Sequence, residues 1–334
     1  MMKKSFKDLL KVIAIVSILC MAAVVICMTA FAEEDSFEPP CDHVAEFVGA
    51  NISLDKDISL RYYVKLCDCY KSAKMIFSSN GKSVTRAAYY DEEADEYIFT
   101  LNRIAPQALG NLINAELICN DKIIASKENY SVLENCKNLL ENHKDDEKVQ
   151  YLVKALLNYG AAVQNYKDYE VDSMVNVGFE MDTLRPSYED SVKHIENNNG
   201  DAIVKAANIT FDNDNKVFIK VVCEYEPVVT ANGVRLEAKY EKLSDDTDEE
   251  AEAEGDNEEE IIDGVWLFYT DSITPDKFND VITFMIISND PVTELTYSVN
   301  SYIYSMLDSQ KASMRNLALA LYTYGVAVES YLAD

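Results

Sequence analysis

The chain has 334 residues, 48% of them hydrophobic, and carries 58 acidic against 30 basic side chains for a net charge of −28. That length and apolar content suffice for two domains with cores of their own. The charge excludes a nucleic-acid or anionic-membrane binder, and with only six Arg the chain is poor in bidentate phosphate or carboxylate clamps.

The N-terminus places Lys3, Lys4, Lys7 and Lys11 before an uncharged run, 12–32, that closes on Ala30-Phe31-Ala32 and turns acidic at Glu33-Glu34-Asp35. Basic start, apolar core and small-x-small end describe a secretory signal over 1–32. The run is also long enough to span a bilayer as an uncleaved anchor. Removing 1–32 takes four Lys and one Asp from those totals, leaving 26 basic and 57 acidic residues. The expected location is extracellular or at the cell surface, touching a membrane only through this segment.

After a leader at 33–43, residues 44–127 read as a β-sandwich. Alternation over 44–54 and 58–66 marks two strands, and Ile58, Leu60, Tyr62, Val64 and Leu66 share a face of the second. Asn80-Gly81 is a hairpin turn between 74–79 and 83–89. An acidic turn at 91–96 leads into a strand at 97–101, and a second hairpin turns at Asn120-Asp121. About seven short strands at this spacing are the pattern of an immunoglobulin-like sandwich, without its Cys-Trp-Cys signature. Tyr62-Tyr63 and Tyr89-Tyr90 each put one ring on either face of a strand, and an exposed row of rings would suit stacking on sugars. An α-helical hairpin follows over 131–167, with Ser131 as first cap and Asp145 or Asp146 as second.

The second helix, 147–166, reads EKVQYLVKALLNYGAAVQNY and returns at 312–331 as ASMRNLALALYTYGVAVESY. Leu152, Leu156, Tyr159 and Val163 answer Leu317, Leu321, Tyr324 and Val328 along one helical stripe. A glycine inside a helix costs about 1 kcal/mol relative to Ala. Its presence twice on the apolar stripe, at Gly160 and Gly325 beside Tyr159 and Tyr324, marks a packing notch where another backbone comes close.

The rest of the pattern also returns. Ala50-Asn51-Ile52 is answered by Ala207-Asn208-Ile209, Asn80-Gly81 by Asn232-Gly233, and Tyr97 by Trp266, the sole Trp. The expected organisation is therefore unit 1 at 44–170, a polar linker at 171–199, and unit 2 at 200–334, with its sandwich at 203–293 and its helical hairpin at 298–332. In fold class this is α+β, two tandem units, each an immunoglobulin-like antiparallel β-sandwich followed by an α-helical hairpin. The offset between copies rises from 152 at Asn232-Gly233 to 169 at Trp266, so 17 extra residues lie at 244–260. That block holds 11 carboxylates and no basic residue and reads as a solvated insertion. Asp245, Asp246, Asp248 and Asp256 offer weak Ca²⁺ ligands without the spacing of an EF-hand loop. No other cofactor is indicated.

Six cysteines remain outside the signal: Cys41, Cys67, Cys69, Cys119, Cys136 and Cys223. An exported chain permits disulfides among them in 15 connectivities. Cys67 and Cys69 would point the same way on a strand. His43, His143 and His194 are far apart in sequence, and no H-E-x-x-H, G-x-S-x-G, P-loop or G-x-G-x-x-G occurs; no catalytic residue is nominated.

GANISLDKDISLRYYVKL, YSVLENCKNLL and LVKALLNYGAAVQNY resemble a duplicated module of secreted and cell-surface proteins from gut clostridia. The resemblance covers most of the chain beyond the signal and implies surface exposure, but brings no activity and no catalytic residue. The functional expectation is an exported, non-catalytic binding or structural module for a glycan, cell-wall polymer or surface protein. An extracellular carbohydrate-active enzyme or protease accessory, and a calcium-dependent adhesion protein, are the alternatives.

Overall fold

The computed structural model describes residues 45–333 except 55–56, 188–192, 199, 211–214, 243–263 and 289–290. The expected signal segment and leader, and the acidic stretch with Asp245, Asp246, Asp248 and Asp256, lie outside the described residues. Among the described residues the chain is α+β, with four antiparallel sheets and four α-helices. It divides into two compact units, one up to Val153 and one from Lys154.

The first unit runs β1 (Glu46–Ser53), β2 (Ser59–Lys65), β3 (Lys74–Ser79), β4 (Lys82–Ala87), β5 (Tyr89–Asp91), β6 (Glu96–Leu101), β7 (Ile113–Cys119) and β8 (Lys122–Tyr130). These form two sheets, ordered β1-β2-β6-β5 and β4-β3-β7-β8. Period-2 alternation buries Leu60, Tyr62, Val64 and Phe99 from one sheet and Met75, Phe77, Ala115 and Leu117 from the other. The Tyr62 ring meets Phe77 at 5.6 Å between the two. Both hairpin turns have the paired positive φ that Asn and Gly tolerate, 49° and 73° at Asn80-Gly81 and 48° and 60° at Asn120-Asp121. The run expected as one strand over 83–89 breaks at Ala88: β4 pairs with β3, whereas β5 pairs with β6 in the opposite sheet.

Helix α1 (Val132–Asn142) starts where Ser131 Oγ accepts from Glu134 N at 3.0 Å. Its Asn135 Nδ2 donates to Ala50 O in β1 at 3.3 Å. Helix α2 (Glu147–Lys167) is headed by Asp146, whose Oδ1 accepts from Lys148 N and Val149 N, both at 3.1 Å. Gln150 Nε2 donates back to Leu140 O and His143 O at 2.8 and 3.0 Å. It thereby satisfies Leu140 O at the end of α1 and adds a second bond to His143 O, which also accepts from Asp146 N at 3.1 Å.

The second unit contains β9 (Lys193–Glu196), β10 (Ile203–Ile209), β11 (Val217–Val222), β12 (Val228–Ala231), β13 (Val234–Arg235), β14 (Ala238–Lys242), β15 (Gly264–Tyr269), β16 (Ile282–Ile287) and β17 (Thr293–Tyr297). Helices α3 (Val299–Met306) and α4 (Ala312–Leu332) follow. Its sheets are ordered β10-β11-β15-β14 and β13-β12-β16-β17-β9. The register of β10 slips between Val204 and Ala206, as that of β1 slips between Phe47 and Gly49. A reciprocal capping box joins Ser298 and Ser301 at the head of α3.

The segment expected as a linker is built into this unit. Val175 is buried, with its N–H donating to Gln164 Oε1 at 3.0 Å, and Asn158 Nδ2 donates to Phe179 O at 3.0 Å. Leu184 N donates to Thr323 Oγ1 at 2.8 Å. Further on, β9 pairs with β17 from Lys193↔Tyr297 to Glu196↔Glu294, covering an edge that would otherwise present unpaired backbone groups. In the first unit the corresponding strand β8 has no outer neighbour among the described residues. It is blunted instead by two register slips and by exposed Lys122 and Lys127.

Within the second unit, Tyr159 and Tyr324 stack at 5.5 Å with planes 11° apart, and Tyr159 Oη donates to Asn215 Oδ1 at 3.2 Å. Gly160 and Gly325 are both buried. At Gly325 the close neighbour is a side chain, not the expected backbone: a Cβ there would stand 2.7 Å from Phe278 Cδ2, with Pro275 O at 3.4 Å.

Candidate functional site

The feature common to both units with an exposed, chemically useful surface is an aromatic pair on an edge hairpin. In the first unit β5 and β6 place Tyr90 opposite Tyr97. Their rings lie 4.8 Å apart at 41°. Tyr97 is buried, while Tyr90 is 41% exposed because β5 is the sheet's edge. The turn beyond them is set by Asp91, whose Oδ1 accepts from Glu93 N at 3.0 Å and Ala94 N at 3.4 Å. The turn ends at Asp95 with φ 54°. This left-handed residue brings its carboxylate back over the hairpin, where Oδ1 accepts from Tyr90 Oη at 2.7 Å.

In the second unit β14 and β15 place Tyr240 opposite Trp266 in the same way. These rings lie 4.9 Å apart at 57°, and Tyr240 is 47% exposed. Trp266 Nε1 donates to Cys223 O at 3.1 Å, which satisfies the indole and fixes its plane. The Tyr240 phenol lies over Gly264, where a Cβ would meet its hydroxyl and Cζ, and Glu241 O at 2.7 Å. The ring covers the backbone that a glycine leaves bare on a strand. Gly264→Ala is expected to swing Tyr240 off Trp266, giving red-shifted Trp fluorescence and a lower thermal midpoint; an unchanged spectrum would show that the ring has room elsewhere.

On the opposite face of the first unit's sheet, Gly49, Tyr63, Ile98 and Tyr89 form a cross-strand row, with Tyr89 69% exposed. The second unit carries Ala206, Lys220, Leu267 and Lys239 in that row. The outer aromatic row is therefore particular to the first unit, whereas the edge pair recurs.

Charge around the first pair is dominated by carboxylates. Glu96 has its carboxyl raised above the usual range by burial first; Lys65 opposes this, and Asp91 and Asp95 add to it. The Tyr90 phenol is raised chiefly because it donates to Asp95. Lys71 is engaged by Asp68 at 3.0 Å.

The cysteines depart from expectation. β2 ends at Lys65 and residues 68–70 form a 3₁₀ turn, so Cys67 and Cys69 do not share a strand face. Cys69 is disulfide-bonded, but not to its neighbour Cys67, which keeps its thiol. Cys119, Cys136 and Cys223 are buried free thiols. Among the described residues no three His, Cys, Asp or Glu side chains group as a metal site, and no helix is long and apolar enough to cross a membrane.

No family model, curated protein or solved structure matches the chain.

The sequence shows Tyr97 and Trp266 as equivalents and Tyr89-Tyr90 as neighbours with rings on opposite faces. That Tyr90 faces Tyr97 is not legible in it, because the strand expected over 83–89 does not separate β5 from β4. The available signal was the acidic turn at 91–96, which is short enough to force 89–91 back onto 96–98.

Proposed function

We propose that the chain is an exported, non-catalytic module that binds a polymeric surface glycan through its edge-strand aromatic pairs, Tyr90–Tyr97 and Tyr240–Trp266. The observation that carries this reading is their recurrence. Two hairpins of different sequence hold a half-exposed tyrosine against a second ring, the buried Tyr97 or the partly buried Trp266, at the same cross-strand position. A core has no use for a ring that is half in water, whereas a pyranose stacks on one, and Tyr gives that surface at low entropic cost. We read the chain as two tandem units, each an immunoglobulin-like sandwich followed by a helical hairpin. The matching strand orders and the matching slips in β1 and β10 support this. The motif resemblance to secreted clostridial modules and the signal-like N-terminus support export. Two weak sites on one chain raise effective concentration on a repetitive ligand.

The test is retention of the full chain on insoluble cell-wall and mucin polysaccharides. Tyr90→Ala or Tyr240→Ala is expected to weaken binding at least tenfold, through lost stacking and lost avidity together, and the double variant to bring it to background. A double variant that binds as the parent does would overturn the assignment of these rings.

A further inference from the structure

We infer that the Tyr90–Tyr97 hairpin is selective for saccharides bearing free ammonium groups, that is, de-N-acetylated amino sugars. This rests on the glycan-binding reading above and assigns its ligand class at the first unit. The Tyr90 ring is held in place by Tyr97 behind it at 4.8 Å and by the bond from its hydroxyl to Asp95 at 2.7 Å. A stacking surface with its torsions already fixed loses little freedom on binding. The same bond puts a carboxylate at the rim of that ring. A carboxylate accepts several hydrogen bonds, so Asp95 retains acceptor capacity beyond the one given to Tyr90.

The charged groups around the ring come from three elements. The hairpin supplies Asp91, Glu92, Glu93, Asp95 and Glu96. The 3₁₀ turn after β2 supplies Asp68 and Lys71, and β2 ends on Lys65. Lys71 is paired with Asp68 at 3.0 Å and acts more weakly on Asp95, and Lys65 acts on Glu96, so two cations stand against six carboxylates. Glu92, Glu93 and Asp95 are exposed. The rim is therefore negative, as is the whole chain at −28.

An amino sugar answers both parts of the site. Its apolar ring face lies on Tyr90, and the ammonium one bond from that ring reaches the carboxylate rim and the π face together. A neutral sugar gains the stacking alone. A uronic, sulfated or phosphorylated sugar is repelled. A lysine side chain brings the charge without the ring face.

Binding of the full chain to immobilised chitosan, to the same polymer after re-N-acetylation, to heparin and to polylysine tests this at a pH where amines and carboxylates are both ionised. Chitosan is expected to bind at least tenfold tighter than its N-acetylated form and to weaken with salt, with heparin at background. Asp95→Asn should remove most of that preference, and Tyr90→Phe, which keeps the ring but loses the bond to Asp95, part of it. Thermal melts check that these surface variants remain folded. Equal binding to both polymers would overturn the ammonium preference while leaving the glycan reading intact. Background binding to every polysaccharide would overturn both. Polylysine held as tightly as chitosan would overturn the saccharide assignment, because charge alone would then suffice.

Discussion

Gly325→Leu is expected to lower the thermal midpoint of the second unit by roughly 5–10 °C, from an overpacking cost of about 1–3 kcal/mol or more. A single Cβ would already stand 2.7 Å from Phe278 Cδ2, far inside the optimum of about 3.5–4.0 Å for two carbons. Phe278 is itself buried, and its carbonyl accepts from Asn300 N at 3.2 Å near the start of α3. The backbone is thus anchored to that helix and the ring is enclosed by the core, so neither has free space to move into. In the first unit the residue that likewise follows a Pro-led 3₁₀ turn and accepts from the second residue of the next helix is Leu109, so Phe278→Leu is the natural compensating change. Gly325→Ala should destabilise the parent, although Ala gains about 1 kcal/mol of helix propensity over Gly. In the Phe278→Leu background the same substitution should be neutral or stabilising. A double-mutant cycle read by denaturant unfolding measures this coupling. Equal effects of Gly325→Ala in both backgrounds would show that the ring is not what confines the glycine.

Stability is expected to fall steeply above about pH 9, with both units affected. Burial pushes the Cys136 thiol from its ordinary 9.0 up to about 12. It raises the Tyr302 phenol from 10.0 to about 12, with a smaller contribution from Tyr166. The phenols of Tyr62, Tyr159 and Tyr297 are driven higher still, again chiefly by burial. These groups keep their protons in the folded chain at a pH where the unfolded chain releases them. Their contribution is therefore complete below the unfolded values and is lost as pH rises through the interval up to the folded ones. Denaturant midpoints should be level from pH 7 to 9 and decline continuously beyond. Tyr62→Phe isolates one group. Tyr62 Oη is buried with no hydrogen-bond partner among the described residues, so its removal should leave stability at pH 7 equal or higher and flatten the alkaline decline. A decline of undiminished slope in that variant would show that Tyr62 ionises as readily folded as unfolded.

Local chemistry made much of the fold legible. Asn80-Gly81 and Asn120-Asp121 turn because few other residues tolerate paired positive φ. Ser131 and Asp146 head helices because their side chains reach backbone N–H groups that have no intrahelical acceptor. Alternation in β2 showed which face is buried, since Leu60, Tyr62 and Val64 fall on one side of a pleat. The candidate site was only half legible. Tyr89-Tyr90 and Tyr97 were visible as aromatic strand residues, but which of them face each other depends on which sheet the edge strand joins.

By its own pattern the sequence determined the element types, the hairpin and helix starts, the apolar faces, and the buried glycine–tyrosine stripes of α2 and α4. All of these follow from interactions within a few residues, where spacing and side-chain chemistry suffice. Tertiary structure alone decided that the chain changes sheets at Ala88, that residues 193–196 close an open edge, and that Gly325 yields to the Phe278 ring. It also decided that Tyr90 remains half-exposed against buried Tyr97, and Tyr240 against partly buried Trp266. Each of these joins residues through strand pairing or side-chain packing whose partner must be chosen among several of similar local fitness. That choice is made by burying the whole apolar surface at once, which no single stretch of sequence records.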